Sequence, residues 1–144
     1  MIIMTMIIDG KGLVSGRLAS KVAKAAIKGE NVVVVNAEQI VMVGNKDSII
    51  EKFKSRTEAR VLSNPHYGPK YSRIPSKIFR RSVKGMLPNK KTTAERILKR
   101  VEVFNAVPKE LANEKMQTFD DIKFNERHKA MTLKEIASHL GGKW

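Results

Sequence analysis

The sequence predicts an α/β fold in which helices cover a mainly parallel sheet. A strand pattern at 5–9, a helical pattern at 15–28 and a second strand pattern at 31–36 follow one another. This order is typical of a right-handed βαβ unit. The second strand is a continuous β-branched run without polar alternation, as expected for a strand buried on both faces. Residues 1–144, of which 42% are hydrophobic, are expected to form one domain with a substantial core.

The first half of the chain carries clear signals for the ends of its elements. Ser15 is expected to cap the first helix, because serine accepts hydrogen bonds from the free N–H groups of a first turn. Gly29 ends that helix, and residues 40–43 form a short third strand. Asn45 is expected to cap a second helix whose apolar positions, beginning at Ile49, face inward.

The character of the sequence changes in the middle of the chain. Residues 61–75 contain three prolines, and each proline imposes extended or turn backbone on the residue before it. A stiff, extended loop is therefore predicted. Ser76 is then expected to cap a third helix that runs to about residue 84.

The last third of the chain holds two further predicted helices. A fourth helix starts at Thr92 or Thr93 and leads into a fourth strand at 101–104. The stretch after this strand has a weak pattern and is expected to be irregular. Residues 132–135 form a capping box, which predicts a C-terminal helix that Gly141 stops.

Basic residues are concentrated in the middle of the chain. The formal net charge of the protein is +14, and residues 52–100 contribute +13 of it through fifteen Lys/Arg and two Asp/Glu. Residues 1–51 contribute +1, and residues 101–144 are neutral. A merely solvated basic face would have acidic residues mixed among the basic ones. This concentration instead indicates a protein that binds the phosphate backbone of a nucleic acid.

The proline-rich loop interleaves aromatic and basic side chains. His66, Tyr67 and Tyr71 offer faces on which bases can stack. Lys70 and Arg73 offer charge for phosphates. A stiff loop with single aromatic residues suits an irregular folded RNA better than the uniform groove of a duplex. The pattern therefore favours RNA over DNA.

The predicted third helix carries four basic residues at positions i, i+3, i+4 and i+7, which share one face. They are Lys77, Arg80, Arg81 and Lys84. Four like charges on one face repel one another, and a bound polyanion compensates for this repulsion. A membrane-bound helix would need bulky apolar side chains free for lipid, whereas the apolar residues here are few and are needed for the core.

Seventeen side chains are predicted to bind RNA. All but one lie in the basic middle of the chain, and the exception, at the start of the first helix, can reach a backbone phosphate. The set is Arg17, Arg56, Arg60, His66, Tyr67, Lys70, Tyr71, Arg73, Lys77, Arg80, Arg81, Lys84, Lys90, Lys91, Arg96, Lys99 and Arg100.

A glycine-rich turn between the first strand and the first helix allows a rival function. Gly10, Gly12 and Gly16 resemble a turn that holds a pyrophosphate at a helix N-terminus. Their spacing is one residue longer than the dinucleotide fingerprint, and Asn36 stands where an acidic residue would bind a ribose. The turn is interpreted as a tight βα connection, and a small nucleotide-dependent enzyme is the rival hypothesis.

Other kinds of chemistry find little support in the sequence. There is no cysteine, which excludes disulfides and thiolate metal sites and fits a reducing compartment. His66, His128 and His139 stand far apart, so neither a metal nor a cofactor is expected. No apolar run approaches the roughly 20 residues that span a bilayer. We therefore expect no membrane partner and no small-molecule substrate.

Seven short motifs occur in a characteristic order between residues 7 and 108. They are IDGKG at 8–12, GRLASKVA at 16–23, VVVNAE at 33–38, GNK at 44–46, PSKIF at 75–79, VKGMLP at 83–88 and VEVF at 101–104. In this order they closely resemble the universal large-subunit ribosomal protein thirteen family. The short, cysteine-free form with the NP and GP pairs at 64–65 and 68–69 resembles the archaeal type of that family.

The resemblance implies a three-layer α/β/α fold around a four-stranded, mainly parallel sheet, with a basic Pro/Gly-rich loop and a C-terminal helix. It implies a structural constituent of the large ribosomal subunit, not an enzyme, located on cytoplasmic ribosomes. Such a protein binds large-subunit ribosomal RNA beside neighbouring ribosomal proteins and aids early subunit assembly. The motif positions expected near RNA are Arg17, Lys77, Arg80, Arg81, Lys84 and Lys90. A free regulatory RNA-binding protein remains an alternative.

Overall fold

The computed structural model describes residues 4–88 and 90–144, and within them it contains five strands and five α-helices. The strands are β1 (Thr5–Asp9), β2 (Asn31–Val35), β3 (Val41–Val43), β4 (Val101–Val103) and β5 (Ala130–Thr132). The helices are α1 (Ser15–Lys28), α2 (Lys46–Glu58), α3 (Pro75–Gly85), α4 (Lys91–Leu98) and α5 (Leu133–His139). The predicted strands and helices are present in the predicted order, whereas β5 was not predicted, since it begins in the stretch that was expected to be irregular. The fold is α/β.

Three strands form a parallel sheet in the order β1-β2-β4. Ile7 lies opposite Val33 in the β1–β2 pair, and Val34 lies opposite Val103 in the β2–β4 pair. Because β1, α1 and β2 follow one another and β1 is parallel to β2, the predicted βαβ unit is confirmed. The β-branched run of β2 occupies the centre of this sheet, as expected for a strand that is buried on both faces.

The prediction of a four-stranded sheet is not confirmed, because β3 leaves the parallel sheet. Asn36 adopts the left-handed conformation, with φ of 57°, and a 3₁₀ turn at Ala37–Gln39 follows it. This reversal redirects the chain, and β3 pairs antiparallel with β5, where Met42 lies opposite Met131. The outer edge of β1 is instead closed by one parallel bridge, in which the amide of Gln117 donates to the carbonyl of Ile7 at 2.8 Å.

The two faces of the parallel sheet are covered differently. Ile8, Val32 and Val34 belong to the main core, which includes the buried side chains of all five helices. Ile7, Val33 and Val35 point to the opposite face, where Val107, Leu111 and Met116 cover them. The segment that covers this second face is described by the structure, and its one helical element is the 3₁₀ turn Lys109–Leu111. A three-layer α/β/α arrangement is therefore not confirmed.

Helix caps divide into local and long-range ones. The side chain of Asn45 accepts from the amide of Asp47 at 3.3 Å, and that of Thr132 accepts from Glu135 at 3.3 Å. These two predicted caps are confirmed. The C-terminal stop is confirmed as well, since Gly141 has φ of +77°.

Two other predicted caps are wrong. Ser15 is the first residue of α1 rather than its cap, and the cap position belongs to Val14, whose amide donates to the carbonyl of Ile122 at 3.1 Å. Ser76 lies inside α3, which begins at Pro75, a residue whose fixed φ suits a first helical position. The amide of Ser76 donates to the side chain of Asn105 at 2.9 Å, so α3 is capped from the segment after β4.

The close approach at Gly10 predicts a test of the βα turn. A Cβ atom at this position would lie 2.9 Å from Cγ1 of Ile40 and 3.0 Å from the carbonyl oxygen of Val35. We expect Gly10→Ala to lower the free energy of unfolding by about 1–3 kcal/mol, because overpacking forces the neighbours to move. Gly16→Ala is the matched control, since a Cβ there meets no atom within 4 Å. Urea unfolding of both variants measures the difference, and equal stabilities would contradict the packing argument.

Candidate nucleic-acid interface

A wide groove of about 940 Å³ lies between α2, α3 and the segment that precedes α3. Seven of its lining side chains are cationic, and none is acidic. The cationic residues are Lys52, Arg56, Lys70, Lys77, Arg80, Arg81 and Lys84. The groove is therefore a concave surface of one charge sign, which is an arrangement that attracts polyanions.

Helix α3 provides four of these seven cations because its other face is buried. Ile78, Phe79 and Val83 are core residues, and Phe79 is completely inaccessible to solvent. Their burial turns the remaining positions of the helix outward, and the four predicted basic residues all line the groove. The prediction that these residues share one face is confirmed.

Tyr71 organises the arginines of the groove. The guanidinium of Arg81 lies over its ring at 4.0 Å from the centroid, and that of Arg56 lies at 6.0 Å. Arg81 also donates to the backbone carbonyl of Lys70 at 3.3 Å. Cation–π contacts of this kind hold a charged group in place without neutralising it. The ring of Tyr71 was expected to stack on a base. One face of this ring is instead covered by the guanidinium of Arg81.

In the part of the chain that the structure describes, no cation of the groove forms an ion pair with a carboxylate. Among residues 4–88 and 90–144, ion pairs join Lys21 to Asp121 at 2.7 Å and Lys123 to Asp120. The hydrogen bond from Lys21 lowers the pKa of Asp121 below its ordinary value of 3.8. Both pairs lie outside residues 52–100, so the positive charge of that segment is left uncompensated.

A second groove of about 510 Å³ runs along β4 on the other side of α3. Lys77 and Arg80 line both grooves, and Lys99 joins them in the second one. Arg80 is also tied to the fold, because its Nη2 donates to the carbonyl of Leu98 at 3.1 Å. Helix α3 is thus a basic ridge between two grooves.

Nine of the predicted RNA-binding residues lie outside both grooves and are exposed. They are Arg17, Arg60, His66, Tyr67, Arg73, Lys90, Lys91, Arg96 and Arg100. One of them has a structural contact, since Nη1 of Arg100 donates to the carbonyl of Ala26 near the C-terminal end of α1 at 3.2 Å.

Lys52 lines the main groove but was missed by the sequence analysis. The helical spacing could have predicted this position, because Lys52 stands one helical turn before Arg56, on the same face of α2.

The loop that precedes α3 also depends on the C-terminus. Gly142 lies so close to Arg73 that a Cβ atom there would fall 2.2 Å from the carbonyl oxygen of Arg73.

Several backbone donors of the glycine-rich turn are committed to the protein. The amide of Gly10 donates to Val35 at 2.9 Å, that of Gly12 donates to Gln39 at 3.1 Å, and that of Val14 donates to Ile122 at 3.1 Å. A pyrophosphate needs such N–H groups to be free. The geometry therefore favours the tight βα connection over a nucleotide site.

The described part of the chain contains no group of three or more His, Asp or Glu side chains that could hold a metal ion. Within the same residues, no helix combines the length and the apolar character that crossing a bilayer requires.

Comparison with known proteins gives this arrangement a biological setting. The sequence model of the family described as Ribosomal protein L13 matches residues 3–110. A protein of Methanosphaera stadtmanae, described as large ribosomal subunit protein uL13, is 42% identical over 98% of this chain and 100% of its own length. Proteins with the same description from Methanocaldococcus jannaschii and Thermoplasma volcanium are 43% and 39% identical. They cover 96% and 94% of this chain, and 98% of their own length in each case.

These matches define the chain as a structural protein of the large ribosomal subunit, a class that is not enzymatic. It belongs to the ribosomal protein L13 family, and its relatives named above are archaeal. The resemblance that the motifs predicted is confirmed. Because this family is not enzymatic, the glycine-rich turn is interpreted as a structural connection and not as the site of a nucleotide-dependent reaction.

The committed amides of the turn predict the response to nucleotides. We expect NAD to raise the melting temperature no more than inorganic pyrophosphate at the same concentration, because both would act only through general attraction to the basic groove. Thermal melting of the pure protein measures this. A larger shift with NAD would indicate a true nucleotide site, since specific binding stabilises the folded state by mass action.

Proposed function

We propose that this chain, acting as one domain, binds large-subunit ribosomal RNA and aids early assembly of the subunit. It would do so on cytoplasmic ribosomes, beside neighbouring large-subunit proteins. The observation that carries the proposal is the groove between α2 and α3, with its seven cations and no carboxylate. Membership of a large-subunit protein family supports it.

The physical basis is the release of counterions from the RNA backbone. Each phosphate that a lysine or arginine neutralises sets free condensed cations, and affinity then falls steeply as salt rises. The groove concentrates seven such side chains on adjoining elements, so one stretch of backbone can contact several of them at once. Because these cations form no ion pair with a carboxylate among the described residues, binding RNA there breaks none.

The RNA contacts we propose fall into two groups. The groove residues are the primary contacts, and they are Lys52, Arg56, Lys70, Lys77, Arg80, Arg81, Lys84 and, in the second groove, Lys99. The outer residues surround them, and they are Arg17, Arg60, His66, Tyr67, Arg73, Lys90, Lys91, Arg96 and Arg100. The lysines and arginines among them extend the positive field, and His66 and Tyr67 offer exposed rings. Tyr71 is proposed as a positioning residue.

Reversing the charge of the basic ridge that α3 forms between the two grooves tests the proposal. We expect Arg80→Glu together with Arg81→Glu to abolish incorporation into large subunits, because the change removes two contacts and repels the phosphates on both sides of α3. Folding should persist, since both side chains are exposed. Sedimentation of a tagged copy through a sucrose gradient at about half-molar salt measures incorporation.

A charge-matched control uses the neutral end of the chain. Lys109→Glu together with Lys115→Glu changes the net charge by the same amount at exposed positions outside both grooves. We expect this variant to sediment with the large subunit as the wild type does. If the ridge variant is folded and incorporates equally well, α3 is not the RNA-binding surface.

The proposed role of Tyr71 makes a separate prediction. Tyr71→Phe keeps the ring beneath Arg81 and should bind an RNA transcript as the wild type does. Tyr71→Leu removes the ring, and we expect about a two- to fivefold loss of affinity, because an exposed cation–π contact is worth about 0.5–1 kcal/mol. Filter binding measures both. Equal losses in the two variants would instead implicate the hydroxyl group, and no loss in either would remove Tyr71 from the site.

A further inference from the structure

We propose that residues 60–68 form a preorganised loop that contacts unstacked nucleobases of the bound RNA through Tyr67 and Leu62. This inference rests on the proposed function and deepens it, because it assigns a second kind of contact to the same interface. The groove would hold phosphates, and the loop would hold bases.

The loop is closed by its own backbone and needs no ligand to take its shape. Gly68 packs against the start of the loop, where a Cβ atom would lie 3.2 Å from Cα of Arg60 and 3.3 Å from the amide nitrogen of Val61. Asn64 secures the tip, since its side chain accepts from the amide of His66 and its carbonyl accepts from Tyr67, both at 3.1 Å. A loop that is already ordered loses little conformational entropy when it binds.

This closed loop presents the two most exposed large hydrophobic side chains of the described residues. Leu62 is 83% exposed and Tyr67 is 80% exposed. Neither helps to stabilise the fold, because side chains so exposed gain almost nothing from burial. The ring of Tyr67 is largely exposed and, unlike that of Tyr71, has no cation over it among the described residues, so it is available for a flat partner such as a nucleobase.

Position and charge identify the partner. Thr57 before the loop and Lys70 after it both line the main groove, so the loop stands at the mouth of the cationic surface. Between Glu58 and Glu95 the sequence contains no acidic residue. A ligand that reaches Tyr67 therefore meets a segment of the chain without carboxylates, and an RNA strand whose phosphates occupy the groove would carry its bases to the loop.

The chemistry favours unpaired nucleotides over a duplex. Bases inside a helix are stacked on one another, and the major groove of A-form RNA is too deep and narrow for side chains to read. Bases in loops, bulges and ends have free faces that stack on aromatic side chains. The loop should therefore bind where the folded RNA leaves bases unstacked.

The test compares two kinds of substitution on the full chain. We measure the affinity for a large-subunit ribosomal RNA transcript at several salt concentrations with Tyr67→Ser, Leu62→Ser and Tyr67→Phe. We expect Tyr67→Ser to weaken binding about tenfold or more, with the slope of log affinity against log salt unchanged, because stacking releases no counterions. Leu62→Ser should weaken binding less, and Tyr67→Phe should bind as the wild type does.

The outcomes separate this inference from the proposed function. The Arg80→Glu, Arg81→Glu variant should reduce the salt slope, whereas Tyr67→Ser should not. If the wild type binds the transcript and Tyr67→Ser binds it equally well, the loop assignment is overturned while the groove assignment stands. If the wild type does not bind, the proposed function itself fails. Vesicles rich in phosphatidylserine provide the other comparison. Vesicle binding that depends on Tyr67, together with unchanged RNA affinity, would also overturn the assignment by making the loop a lipid contact.

Discussion

The burial of Phe79 and Val83 determines where the positive charge of this protein points. Helix α3 contacts both α1 and β4 through its apolar face, and this contact fixes the rotation of the helix about its own axis. With 3.6 residues per turn, fixing one face fixes the opposite one. The basic ridge, the two grooves beside it and the support from Tyr71 all depend on that single orientation.

The charge distribution is tolerable because the fold does not rely on surface ion pairs. Exposed ion pairs contribute little to stability, so a segment without them forgoes little. The repulsion among neighbouring cations is a cost, and the hydrophobic core around β2 and α1 offsets it. The cations keep side-chain contacts that position them, such as those of Arg80 and Arg81 with backbone carbonyls, and these contacts leave their charge undiminished.

Sequence reasoning succeeded where the determining interactions are local. The bounds of β1 and α1 and the caps at Asn45 and Thr132 depend on residues within four positions of one another. The same reasoning failed at Ser15 and Ser76. At Ser76 a side chain far away in the sequence, that of Asn105, accepts the hydrogen bond that a local cap would have accepted. At Ser15 the helix begins one position earlier than predicted, after Val14, whose amide is bound to the distant Ile122.

The sheet and the site show the same limit at a larger scale. No local sequence pattern predicts that the chain reverses at Asn36 or that Gln117 lies beside β1. The basic stripe of α3 could be predicted from helical spacing alone. That α2 faces it across a groove could not be predicted, since this depends on how two helices are placed in three dimensions, although the spacing from Arg56 would have included Lys52.

The cap that Asn105 provides to α3 has a consequence for the order in which the protein forms. Chains fold from the N-terminal side as they are synthesised, yet the central surface here takes its supports from later residues. Asn105 follows β4, and Gly142, which abuts Arg73, follows α5. The cations of residues 70–84 are made before the parts that orient them. In a nascent chain these charges therefore emerge before their supports, and the shaped surface is complete only when the downstream residues have docked.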